Sequence, residues 1–156
     1  MSAIMEALYR GDRVRAEQVA ANAQLDIHEA AALGRADRVR ELLAGGATPA
    51  SSRSSDGFTP LHYAAFFGTA EAAAALLEHG ADPAAVAENE MRVQPLHSAA
   101  AVDANETARL LLDAGADPNA RQQGGFRPID AAVQNGNDEL YALLVERGAE
   151  VPAPAE

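Results

Sequence analysis

Two markers recur along this chain at one nearly constant interval. Ile27-His28, Leu61-His62, Leu96-His97 and Ile129-Asp130 lie 34, 35 and 33 residues apart. Gly46-Ala47-Thr48-Pro49, Gly80-Ala81-Asp82-Pro83, Gly115-Ala116-Asp117-Pro118 and Gly148-Ala149-Glu150-Val151 keep the same three intervals. Markers of unrelated composition held at one period mean an array of equivalent units. A period of this size means a solenoid, in which each unit buries its apolar face against its neighbours and no single centre exists.

Within a unit the pattern is helix-turn-helix. Thr59 suits an N-cap, and Pro60 suits the first helical position, where its missing N–H costs nothing. A first helix runs to Phe67, Gly68 breaks it, and a second carries Ala72–His79 to Gly80. Thr59-Pro60-Leu61-His62-Tyr63-Ala64-Ala65, then Gly68, Leu76-Leu77 and Gly80-Ala81-Asp82, resemble the ankyrin repeat. The similarity covers about residues 25–151. It is imperfect where Gln94 and Arg127 replace a preferred Thr, and where Asp103 replaces a preferred Gly. The resemblance implies an all-α solenoid of stacked helix-turn-helix units with hairpin-like loops. It further implies a non-catalytic role in protein–protein binding, and histidines at the repeated position that hydrogen-bond loop backbone.

One domain over residues 1–151 is expected, with units at about 2–24, 25–55, 56–89, 90–122 and 123–151. The first reads as a truncated cap, a helix pair without its loop. Ser2 caps its first helix, Gly11-Asp12 makes the turn, and a second helix covers about Arg13–Asn22. Asp26 caps a helix through Leu33, and Asp37–Ala44 returns with Val39, Leu42 and Leu43 inward. The loop Ala84–Arg92 carries two residues more than its counterpart in the next unit and is expected to protrude. Gly124-Gly125 make a tight turn before Phe126. Residues 152–156 are expected to fray.

Charge is divided unevenly. The chain carries −11, yet residues 1–55 balance seven Arg against seven acids, so the whole excess falls on residues 56–156. That field repels nucleic acid and anionic membranes and favours a partner with a basic or amphipathic surface. Alanine-rich composition without lysine fits a GC-rich bacterial genome. The absence of lysine and cysteine removes Schiff-base, P-loop and thiolate chemistry. No Gly-x-Gly-x-x-Gly, His-Glu-x-x-His or Gly-x-Ser-x-Gly occurs. No run of about 18 apolar residues is long enough for a membrane span. His28, His62 and His97 fall at one repeat position, so they lie about a repeat apart and cannot converge on a metal. No cofactor, metal or enzymatic activity is expected, and the location expected is cytoplasmic.

The informative side chains are aromatic. In the ankyrin pattern, the hairpin residue before the Thr-Pro step and the last residues of the first helix face the concave groove where partners bind. Phe58 and Phe126 hold the first position, Phe66 and Phe67 the second, and these are all the phenylalanines present. Leu33, Met91, Val93 and Val102 hold matching places in neighbouring units. An apolar strip bordered by Asp56, Glu90 and Asp103 is therefore the expected partner-binding surface. Two other readings remain: Phe67 and Phe126 pack between units as core, or the strip pairs with its own copy. A monomeric binding module is the reading favoured. An inhibitor or immunity-type protein that blocks a basic toxin or enzyme is the alternative.

Overall fold

The computed structural model describes residues 1–154; of the tail expected to fray, Ala155 and Glu156 lie outside the described residues. Ten α-helices follow one another: α1 Ala3–Tyr9, α2 Arg13–Ala20, α3 Ile27–Leu33, α4 Ala36–Ala44, α5 Pro60–Phe66, α6 Ala70–Glu78, α7 Pro95–Ala101, α8 Asn105–Asp113, α9 Pro128–Asn135 and α10 Asp138–Glu146. A short 3₁₀ turn at Gln123–Gly125 precedes α9. The described residues form no β-strand.

The first three helices start at side-chain caps that the sequence supplies. Ser2 Oγ accepts from the Met5 amide, and Asp12 Oδ1 from that of Arg15. Asp26 and Glu29 close a reciprocal capping box on α3. Prolines open α5, α7 and α9, where they break no hydrogen bond. Each first helix ends after two turns, because the chain must then turn sharply in the left-handed region. Gly34, Gly68 and Gly136 adopt it freely, and Asp103 adopts it at φ 59° despite its side chain.

First helices pack on first helices along α3, α5, α7 and α9, and second helices pack on second helices along α4, α6, α8 and α10. Alanine makes the close approach possible: Ala30, Ala31, Ala64, Ala65, Ala99 and Ala100 have no exposed surface. The larger core residues alternate between layers, with Leu61, Leu96 and Ile129 from the first and Leu76, Leu111 and Leu144 from the second. Val39 is buried as expected, whereas Leu42 and Leu43 are half-buried.

The loops before α5, α7 and α9 fold back on themselves. Ser54 N–H donates to Phe58 C=O, Ala87 to Val93 and Gln122 to Phe126. The wider Ala87–Val93 pair locates the two additional residues at the loop tip. That tip is braced on both sides: Glu88 N–H donates to Gly57 C=O, Asn89 Nδ2 to Asp56 C=O, and Gln123 N–H to Met91 C=O. The first brace requires glycine, since a Cβ on Gly57 would lie 2.3 Å from the Glu88 carbonyl oxygen.

The helix starts at the three prolines are not equivalent. At α5, Thr59 Oγ1 lies 2.8 Å from His62 Nδ1, which also accepts the Thr59 amide. At α9, Asp130 accepts the Arg127 amide at 2.8 Å and pairs with its guanidinium at 3.4 Å, a charged version of the same box. At α7, His97 Nδ1 accepts the Gln94 amide, but Gln94 Oε1 is buried with no hydrogen-bond partner. An orphaned buried acceptor costs about 1–3 kcal/mol. Gln94→Thr is expected to raise stability by about 1 kcal/mol in urea unfolding. A loss of stability would show that the glutamine stem packs better than the missing cap costs.

Candidate functional site

The first helices and loop tips together line recessed clefts. One near the C-terminal end is bordered by Ala101, Phe126, Arg127 and Gln134. Another near the N-terminal end is bordered by Tyr9, Glu29, Asp56 and Tyr63. This concave face is where the sequence places its apolar strip, and the structure divides that strip.

Phe66, Met91, Val102 and Phe126 are exposed, with Phe66 at 41% and Phe126 at 58%. Phe58 and Phe67 are half-buried against the core. Leu33 and Val93 are buried, at 2% and 7% exposure, and so cannot form part of an exposed strip. The residue at the end of a first helix borders the neighbouring unit, and the side chains presented there decide its exposure. Leu33 is covered at that place on α3, whereas Asn135, which donates to the Ala100 and Ala101 carbonyls, is exposed on α9. Val93 is drawn onto the stack because its carbonyl accepts from both Ala87 N–H and His62 Nε2. Phe126 holds the same repeat position but has no further unit over it among the described residues.

The acidic border is also uneven. Asp56, Glu90 and Asp103 are all exposed. The Asp103 carboxylate, however, accepts from Asn135 Nδ2 at 3.2 Å and Asn137 Nδ2 at 2.9 Å. Its task is to fasten α9 and α10 to α7.

A residue that sequence reasoning passed over completes the aromatic patch. Tyr9, at the end of α1, has its ring centroid 6.1 Å from that of Phe66 and 5.7 Å from that of Phe67. Phe66 and Phe67 pack edge to face at 5.1 Å. Helix pairs one and three thus touch across α3, and Leu33 lies buried at its end. Burial, with Tyr63 beside it, pushes the Tyr9 phenol above its ordinary range. The signal was present: Tyr9 precedes Gly11 by the same two positions that separate Phe66 from Gly68.

The repeated histidines do what the resemblance implies. His28 Nε2 donates to the Ser52 carbonyl at 3.0 Å, His62 to Val93 at 2.9 Å and His97 to Ala120 at 2.9 Å. Each holds the loop leading to the next first helix. In the last unit Asp130 replaces histidine, and Arg127 Nη1 donates to the Glu150 carbonyl instead. Donation from Nε2 together with acceptance at Nδ1 requires the neutral imidazole. Burial accordingly lowers the pKa of His62 to about 4 and also depresses that of His97. Among the described residues no group of three or more His, Asp or Glu could hold a metal ion, and no helix is long and apolar enough to cross a membrane.

The family model for ankyrin repeats (3 copies) matches residues 2–87, 27–122 and 87–155, overlapping placements that span nearly the whole chain. The chain belongs to the ankyrin-repeat family. Ankyrin repeats are generally protein–protein interaction modules and typically non-catalytic. No curated protein matches the chain.

The histidine geometry sets a pH dependence. A base whose folded pKa is depressed contributes stability above its unfolded pKa and loses it as pH falls toward the folded value. Lowering pH from 6.5 to 5, above most of the carboxylate range, is expected to cost about 1–2 kcal/mol through His62. His97 acts in the same direction. Urea midpoints followed across this window should lose most of their slope in His62→Gln; an unchanged slope would remove His62 as its source.

Proposed function

We propose that this chain is a non-catalytic binding module that takes a protein partner on its concave face, with the aromatic patch as anchor. The observation that carries the reading is the exposed Phe66 ring, held edge to face by Phe67 and flanked by Tyr9. Rings already fixed by their neighbours lose little side-chain freedom on docking, and an aromatic anchor contributes about 2 kcal/mol or more to a complex. Phe126, Met91 and Val102 extend the contact toward the C-terminal end. Asp56 and Glu90, exposed on the loop tips, orient a basic or amphipathic segment.

The acidic excess on residues 56–156 supports a basic partner and argues against nucleic acid. It equally suits the inhibitory role, in which a one-to-one complex covers the active site of a basic toxin or enzyme. That role predicts tighter and more salt-sensitive binding than an adaptor shows.

The test is affinity capture from the cells that make the protein, comparing wild type with Phe66→Ala and Phe126→Ala at low and high salt. Phe66→Ala is expected to lose at least one specifically captured protein, with affinity down about 30-fold or more, corresponding to 2 kcal/mol. Thermal unfolding of the same variant should move by only a few degrees. Identical captured sets, or a large loss of stability with capture intact, would return Phe66 to the core and end the reading.

A further inference from the structure

We propose that this chain associates with copies of itself end to end, the C-terminal helix pair of one seating the N-terminal helix pair of the next. The surfaces involved are separate from the concave face, so the inference stands apart from the partner-binding reading. It starts from equivalent positions in successive units. The residue three before the turn that ends the first helix is Ala31, Ala65 and Ala100 in the inner units, and all three are sealed in a seam between units. In the last unit it is Val133, which is 56% exposed. On the second helices Val39, Ala73 and Ala108 are equally sealed, whereas their counterpart Tyr141 is only half-buried. Leu112 is buried, and its counterpart Val145 is exposed. The tail through Pro154 leaves these side chains uncovered.

The outer helices of a solenoid need a polar outer face to keep the array soluble. The N-terminal pair has one. Arg15 is exposed at the place where Ala72, Thr107 and Leu140 are buried. The acids near it are committed: Glu6 pairs with Arg10, Glu17 with Arg13 and Arg35, and Asp12 caps the helix. Arg15 therefore has no ion-pair partner among the described residues. At the other end Asp138, Glu139 and Glu146 are exposed, and among the described residues no cation pairs with them. Arg127 and Arg147 are held by Asp130 and Asp113 instead.

Charge selects the occupant of the C-terminal seam. Residues 1–24 balance three Arg against three acids, whereas residues 123–151 set two Arg against five acids. Two C-terminal ends would repel each other, and two N-terminal ends would leave Val133 and Tyr141 open. A C-terminal end meeting an N-terminal end covers the apolar seam and sets unpaired acids against an unpaired arginine. The register follows from an inner seam, where the starts of successive second helices meet through Asn105 and Asn137. Continued across the joint, that register brings Arg15 of the second copy to Asp138 and the Tyr141 ring of the first. Such a contact does not close on itself, so it gives open chains that lengthen with concentration.

Sedimentation of the full chain from micromolar to millimolar concentration is expected to show a mean mass that climbs beyond that of a single chain. Val133→Glu blocks the C-terminal end and Arg15→Glu the N-terminal end, both at exposed positions. Each variant alone should sediment as a single chain throughout the range. Mixed in equal amounts, they should form a one-to-one complex and nothing longer, because each supplies the end that the other lacks. Formation of that complex also shows that both variants are folded. A constant single-chain mass for the wild type overturns the proposal, and so does a mixture that stays unassociated. Association that survives Arg15→Glu would mean that C-terminal ends pair with each other. Association lost in Phe66→Ala but kept in Val133→Glu would move the contact to the concave face. Either result overturns the end-to-end joint while leaving the concave-face reading to its own test.

Discussion

The hydrogen bond from an inner-helix imidazole to the carbonyl preceding the next helix is the contact on which this stack depends. Loops that double back without a strand ladder have few backbone bonds to hold them, so a buried side chain must fix their position. His28, His62 and His97 do this at bond lengths within 0.1 Å of one another. At His62 and His97, Nε2 donates while Nδ1 accepts, which only the neutral imidazole can do, so there the geometry also sets the protonation state. Burial of His62 and His97 follows from the need to reach the loop, and their depressed basicity follows from burial.

The repeat also explains where the structure tolerates exceptions. A position that recurs in five helix pairs can be altered in one if a neighbour supplies the missing contact. Asp103 accepts a left-handed backbone that glycine would adopt more cheaply, and its carboxylate is then bonded by two asparagines from the last pair. Arg127 and Asp130 replace a threonine and histidine with an ion pair, and the arginine still reaches a backbone carbonyl further on. Gln94 is the exception without such compensation.

Much of this was legible in the sequence, since helix starts and ends depend on local residues. Pro60, Pro95, Pro128, Gly34, Gly68 and Gly136 mark boundaries by their own backbone preferences. The two additional loop residues were legible too, because spacing alone reveals them. Exposure was not. Leu33 and Val102 share a repeat position, yet one is buried and the other is 40% exposed. The difference lies in which side chains the flanking units present, and a position-by-position reading does not carry that information. Tyr9 escaped notice for a related reason: its unit lacks the Pro-Leu-His marker that aligns the others.

Tyr9 gives the N-terminal helix a second significance. In a solenoid each unit ordinarily touches only those adjacent to it, but here a ring from the first pair rests on rings from the third. The lid that shields the near end of the stack is also one wall of its most aromatic surface. Displacing α1 would therefore uncover Phe67 and reshape the ground around Phe66 in a single motion, so that sealing the array and presenting it to another molecule are the same structural act.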